Sequence, residues 1–264
     1  MVDAHLAVVR ASLRAQLTYR VSFAMLVVAS AGATSMDFAV VATIFTHLPR
    51  LEGWTLSQIA LMYGIAGIGF GVTDLAVGSL DSLPAYVKQG TFDAFLIRPL
   101  GTLYQVVTSE VALRRVGKIA QGAGILVFAL LHLHIAWTLP RAGMLLMSLV
   151  TGPLIFGSVW VIVMSHVFWT VDTGEVANAF TYGGSFLASY PINIFGTWLR
   201  DLLAFVVPMA FVAYYPTIFI LGRPDPLGLP GFVPLLTPVL AVLLPWLAGG
   251  VWKQGVRHYR GTGS

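Results

Sequence analysis

Long uncharged runs separated by short polar punctuation set the pattern of this chain. The first covers about 21–45 and carries one acid, Asp37. A second covers about 56–78, behind the turn His47–Gly53. A third covers about 119–139, a fourth about 143–169 after a short turn Leu139–Gly143, and a last about 232–252, before the basic tail Lys253–Arg260. Each matches the roughly 20 apolar residues that an α-helix needs to cross a bilayer. Two further apolar stretches, about 174–193 and 202–221, lie between the fourth run and the last. Ahead of the first run, Leu6, Val9, Leu13 and Leu17 recur at helical spacing among Arg10, Arg14 and Arg20. That pattern reads as an amphipathic helix on the membrane surface, or as a basic tail that only sets orientation.

Composition agrees with the bilayer as solvent. The chain is 57% hydrophobic and 10% charged, against about 45–50% and 25% in ordinary soluble domains. No polar stretch is long enough to fold a soluble domain, so 1–264 reads as a single transmembrane domain. The first run is too long for a signal-peptide core and reads as a retained span. Cysteine is absent, which excludes disulfides and thiolate metal sites.

Charge placement decides the number of crossings. With six spans and both termini inside, eleven Lys and Arg residues lie inside, against Arg50, Arg141, Arg200 and Arg223 outside. With seven spans the bias falls to nine against six. The positive-inside rule therefore predicts six transmembrane helices and an all-α integral membrane protein. Pro208 and Pro216 interrupt the second of the two ambiguous stretches. Broken backbone survives at membrane depth only when protein covers it. Hence 174–192 is taken as span 5 and 193–229 as an outer re-entrant segment. The alternative has 174–200 on the inner surface and 202–221 spanning.

The longest loop, 79–118, falls inside. Ser82 and Pro84 can open a short helix that Gly90 ends. Thr91 can cap a second helix that stops before Pro99, with Phe92, Phe95 and Leu96 on one face. A longer helix from Thr102, carrying Val111, Arg114 and Arg115, leads into span 3. Short amphipathic helices there suit docking into a groove of a partner protein, or simply lie in the lipid interface.

Other candidates are sparse. Gly67 and Gly71 form a GxxxG that allows close helix approach. With Asp74 and Tyr182 they mark a possible pathway or dimer face. Asp37 lies 17 residues past Arg20, about 25 Å up its helix. It falls near the outer interface and Asp74 near the inner one, so both can be hydrated. Acids within spans are candidates for a transport role. His132 and His134 stand two apart, which on a helix separates them onto different faces, so no metal site is expected. No phosphate-binding GxxxxGK[ST] loop, HExxH or GxSxG occurs. The chain therefore lacks the cradle for ATP, and no catalytic residue is assigned.

The stretch GSLDSLPAYVKQGTFDAFLIRPL over 78–100 resembles a bacterial permease family of the second (type-2) exporter class of ABC transporters, whose pattern is roughly GSLDxLPxYVxxGxLDxxLlRPL. Phe168-Trp169-Thr170, Tyr182, Tyr190–Phe195, Trp198–Arg200, Pro208–Val212, Tyr215-Pro216 and the ending Tyr259–Ser264 extend the resemblance over essentially the whole chain. Phe92 stands where that family often has Leu, and Gly196 where proline is common. The resemblance implies an N-terminal amphipathic connecting helix bearing Arg10, Arg14 and Arg20. It also implies an ATPase-coupling helix, here Leu83, Tyr86, Phe92, Phe95, Leu96 and Arg98. Two ABC ATPase subunits would carry ATP and Mg, with no cofactor bound by this chain. A second permease chain, identical or homologous, would complete the pathway in the bacterial inner membrane, with no role for nucleic acid. The expected function is export of a hydrophobic or amphipathic substrate by alternating access. A stand-alone ion-coupled carrier is the alternative. It would need a midplane acid and inverted repeats, and the sequence displays neither.

Overall fold

The structure, a computed structural model, describes Arg14, Thr18 and residues 20–259, without 111, 171–176, 226 and the side chain of 206. Arg10 and most of the 1–20 segment lie outside the described residues, as do 174–176 of the expected fifth span and the ending 260–264. Arg14 and Arg20 are described and exposed.

The long helices are α1 (Arg20–His47), α2 (Leu56–Val77), α6 (Val116–His132), α7 (Leu139–Ser165) and α11 (Thr237–His258). Short helices fill the connections. These are α3 (Leu83–Lys88), α4 (Asp93–Leu96) and α5 (Thr102–Val107) in one loop, then α8 (Gly184–Ala188), α9 (Thr197–Asp201) and α10 (Tyr214–Leu221) between α7 and α11. Among the described residues, four stretches are long and apolar enough to cross a membrane: Arg20–His47, Leu56–Lys88, Leu139–Phe168 and Val233–His258.

Local chemistry sets the ends of these helices. Leu51 and Trp54 pair their backbones across Glu52 and Gly53, both at positive φ (47° and 78°). That two-residue turn demands left-handed backbone, which Gly53 adopts without steric cost. It delivers the chain to Thr55, whose N–H donates to the Gln58 side chain at 3.1 Å and opens α2.

Three expected boundaries are corrected. The third apolar helix stops at His132 rather than 139, because Leu133 turns extended and the chain re-caps at Thr138. The expected turn Leu139–Gly143 is instead the first turn of α7, where Pro140 loses no hydrogen bond. His134 therefore sits off any helix. The expected long helix from Thr102 ends at Val107. Thr108 and Ser109 fold their hydroxyls back onto Tyr104 O (2.6 Å) and Val106 O (2.7 Å), and so compete with helix continuation. Ser79 also donates to the freed carbonyls of Val106 and Val107, both at 2.9 Å.

Neither 174–192 nor 202–221 forms one unbroken long helix. Residues 177–188 are helical, with one wide π turn at Ala179–Gly183. The second stretch breaks at Val207-Pro208 and resumes as α10. Met209, Ala210, Val212 and Ala213, just past the break, are almost wholly buried. Protein therefore covers the irregular backbone, as it must wherever water is absent.

Two hydrophobic cores hold the chain together. The larger joins α2, α6, α7 and α10 and the segment 188–215. The smaller sits at the other end, around Leu80, Leu83, Phe92, Val106, Trp160, Phe168 and Trp252. The contact between α2 and α6 is a close backbone approach. A Cβ on Gly64 would meet Leu126 Cα at 2.7 Å, and one on Gly71 would meet Ile119 N at 2.9 Å. Gly67 faces Gly122 Cα at 3.3 Å. The GxxxG therefore packs inside the chain, which corrects its reading as a dimer face.

Candidate functional site

Three groups of chemistry converge on the inward faces of α2 and 177–188. The first is a cleft of about 250 Å³ bordered by α1, α2, α6 and 182–189. Along α2 it is walled by Tyr63, Ala66, Gly67 and Phe70, which recur at helical spacing on one face. Opposite stand Tyr182, Ser185, Phe186 and Ser189. Asp37 and Thr34 of α1 and Gln121 and Lys118 of α6 complete it. Gly67 and Tyr182, singled out in the sequence, do line this cleft. Tyr63, Phe70 and Gln121 are additions that no sequence signal separates from ordinary span residues.

The second group is ionic. Asp74 is almost wholly buried, with Arg115 Nε 3.0 Å from Oδ1 and Lys118 Nζ 2.7 Å from Oδ2. Arg115 also donates to the backbone oxygen of Asp74 at 3.1 Å. The expectation of a hydrated Asp74 is therefore corrected: two cations neutralise it inside the protein. A lone carboxylate there would pay a large desolvation penalty, which the two partners offset. Lys118 in turn lies over the rings of Phe70 (4.9 Å) and Tyr182 (5.4 Å), so its charge is held from three sides.

The third group ties the loop to the cleft. Asp81 accepts from Tyr182 OH at 2.8 Å and from Trp160 Nε1 at 3.2 Å. The ring of Tyr182 meets those of Phe70 and Trp160 edge-on, both at 5.5 Å. One carboxylate in the connection after α2 thus holds the side of the cleft that 177–188 supplies. Asp81 belongs to the SLDSLP stretch, and its role was readable only once position 182 was seen beside it.

The expected coupling residues divide in two. Leu83 and Phe92 are fully buried in the smaller core. Phe92 packs against Phe168 and Tyr259, each at 5.0 Å between centroids, and Phe95 lies beyond it at 5.9 Å. The reading of Phe92, Phe95 and Leu96 as one face is therefore corrected. Phe92 faces inward, and Tyr86 and Phe95 are half-buried around it. Leu96 and Arg98 are exposed, and Ile97 between them is 84% exposed. The Gln105 amide fixes this tip by donating to Phe95 O (2.9 Å) and Leu100 O (2.8 Å). Burial, and then the neighbouring Asp93 carboxylate, raise the Tyr259 hydroxyl above the ordinary tyrosine range. It thus stays protonated beside Phe92.

At the opposite end, Arg223 clamps the 48–55 turn. It donates to Gly53 O (3.1 Å) and Gln58 Oε1 (2.9 Å), and its guanidinium lies 4.1 Å from the centre of the Trp54 ring. The Trp54 indole donates to Asn193 at 3.0 Å.

No group of three side chains that could hold a metal ion occurs among the described residues. A family model described as ABC-2 family transporter protein matches residues 31–263. No curated protein and no solved structure matches the chain.

Proposed function

The chain belongs to the ABC-2 transporter family, a multi-pass membrane component, and from that premise we propose that it is the permease subunit of an ATP-driven exporter. In this reading the end bearing 78–115 faces the cytoplasm. A separate ABC ATPase, in two copies with its own ATP and Mg, docks there. A second permease chain, identical or homologous, pairs with the first in the bacterial inner membrane. The cargo is hydrophobic or amphipathic and leaves outward by alternating access.

The observation that carries the coupling is the division of the 78–100 loop. Its base is anchored by Leu83 and Phe92 in the core, while Leu96, Ile97 and Arg98 are exposed on a turn tethered at both ends by Gln105. An exposed apolar tip on a buried footing transmits force where a floppy loop would absorb it. Closure of the ATPases on ATP pushes the tip. The push reaches 177–188 through Asp81 and Tyr182, and the cleft opens or closes. Residues 174–192 supply the fifth span and 193–229 the outer re-entrant segment. The N-terminal segment with Arg10, Arg14 and Arg20 rides on the inner surface.

A tagged pull-down from solubilised native membranes, followed by an ATPase assay, tests this. A roughly stoichiometric ATPase is expected with the wild type. It should fall at least about fivefold with Leu96→Asp combined with Ile97→Asp, while the permease still elutes as a single species. An intact permease that brings down no ATPase overturns the reading in favour of a stand-alone ion-coupled carrier.

A further inference from the structure

The charges lining the cleft are unequal in a way that selects a ligand. Lys118 already has Asp74 at 2.7 Å and two aromatic faces. Asp37 has no ion-pair or hydrogen-bond partner among the described residues. Asp37 is exposed in the cleft, so its carboxylate is open to a ligand.

The surroundings of Asp37 are aromatic. Phe38 packs on Tyr63 at 5.2 Å, Tyr63 meets Tyr190 edge-on at 6.4 Å, and Tyr190 contacts Phe186 at 4.9 Å. Tyr63 and Phe186 line the cleft together with Asp37. Aromatic rings and an unpaired carboxylate in one cleft favour an organic cation, while the cation on its wall, Lys118, is already held by Asp74. A strongly hydrated metal ion would need several oxygen ligands, and Asp37 brings one carboxylate.

We propose that the cleft between α1, α2, α6 and 182–189 binds an apolar organic cation, with Asp37 as its counter-charge and Tyr63 and Phe186 as its ring walls. As the cargo class of an exporter this rests on the function proposed above, but the binding needs no ATPase and is measured without one.

The probe is benzyltrimethylammonium, small enough for about 250 Å³, titrated calorimetrically into the purified full-length chain in nanodiscs. Benzenesulfonate, of similar size and opposite charge, is the control. The cation is expected to bind and the anion not. Asp37→Asn should weaken the cation at least about tenfold, the loss of one ion-pair-scale contact. Asp37→Glu should keep it within about threefold. Both variants should melt as the wild type does, because Asp37 is exposed in the cleft. Equal binding by Asp37→Asn, preference for the sulfonate, or no binding of the cation to the wild type each overturns the proposal. Recovery of an ATPase in the pull-down would leave the exporter reading standing in any of those cases.

Discussion

Helices α1 and α2 are near twins in sequence character and opposites in the structure. Both belong to stretches long and apolar enough to cross a membrane. Yet 6% of the most apolar window of α1 is buried within the chain, against 67% for the stretch containing α2. Only Val41 of α1 is buried, while twelve residues of α2 are. Hydropathy therefore says that a helix can enter the bilayer and nothing about what lies against it. The difference comes from where the glycines meet a neighbour. Gly64 and Gly71 of α2 sit against the backbone of α6 at two levels, whereas α1 meets α6 closely where Gly117 lies on Val27 and Ala31, and a Cβ on its own Gly32 would meet nothing within 4 Å. In lipid, where apolar surfaces gain little from meeting one another, close backbone approach is the main route to helix association.

The sharpest way to break the comparison is to give α2 a side chain where α6 lies. Gly71→Leu or Gly64→Leu must drive the two backbones apart, at a cost of about 3 kcal/mol or more. Most of the single-species protein should be lost in size-exclusion chromatography. Gly32→Ala in α1 should stay within about 0.5 kcal/mol of wild type. Comparable damage from both would mean that α1 is packed as α2 is.

Asp74 gives the next largest effect and belongs to α2 alone. Asp74→Ala leaves Arg115 and Lys118 facing each other without their shared anion. Breaking a buried pair in this way costs about 3–5 kcal/mol. The replacement should lower the melting temperature strongly in detergent, and Lys118→Met made together with it should recover part of the loss. Asp37→Asn on α1 should leave the melt unchanged, since Asp37 has no such partner. The two acids looked equivalent in the sequence, each near one end of an apolar run. Only the side chains that α6 brings to them separate a structural ion pair from an unpaired charge.

Much of the architecture was legible because helical spans are written in apolar length. The bounds of α1 and α2 differ from expectation by two residues or fewer. The connections were harder to read. Pro140 looked like a turn residue and opens α7, because proline suits a first helical turn as well as a loop. The helix from Thr102 stopped early through two hydroxyls that bond their own backbone, which residue type alone does not reveal. In the candidate site, Gly67 and Tyr182 were found. Asp81, Tyr63 and Ile97 were not, since their roles depend on long-range neighbours or on which side of a short helix is covered. Phe92 shows the same thing from the other side. Its aromatic pattern suggested an anchor for a partner, and it anchors the chain to itself.

Phe92 and Ile97 extend the comparison to the loop. Phe92→Ala removes a fully buried ring among Phe95, Phe168 and Tyr259, at about 3–5 kcal/mol. Its loss should appear as a lower melting temperature of the permease by itself. Ile97→Ala, five residues on, should leave that melt unchanged and should instead reduce the ATPase recovered with the permease. If both changes acted on stability alone, the exposed tip would have no partner to meet.

The smallest effects belong to the outward face of α1, where Val28 is 70% exposed and Met36 72%. Against lipid, trimming either to alanine exchanges one apolar contact for another, so the isolated chain should change by no more than about 0.5 kcal/mol. The same substitutions separate two coverings of this face in the assembled transporter. If lipid alone covers it, cross-linked dimer yield in native membranes stays at the wild-type level. If the second permease chain packs there, Val28→Ala lowers that yield while the melt of the single chain is unaffected. The exposure of α1 would then be the interface it awaits, and the contrast with α2 would be one of timing: α2 buries its surface on folding, α1 on assembly.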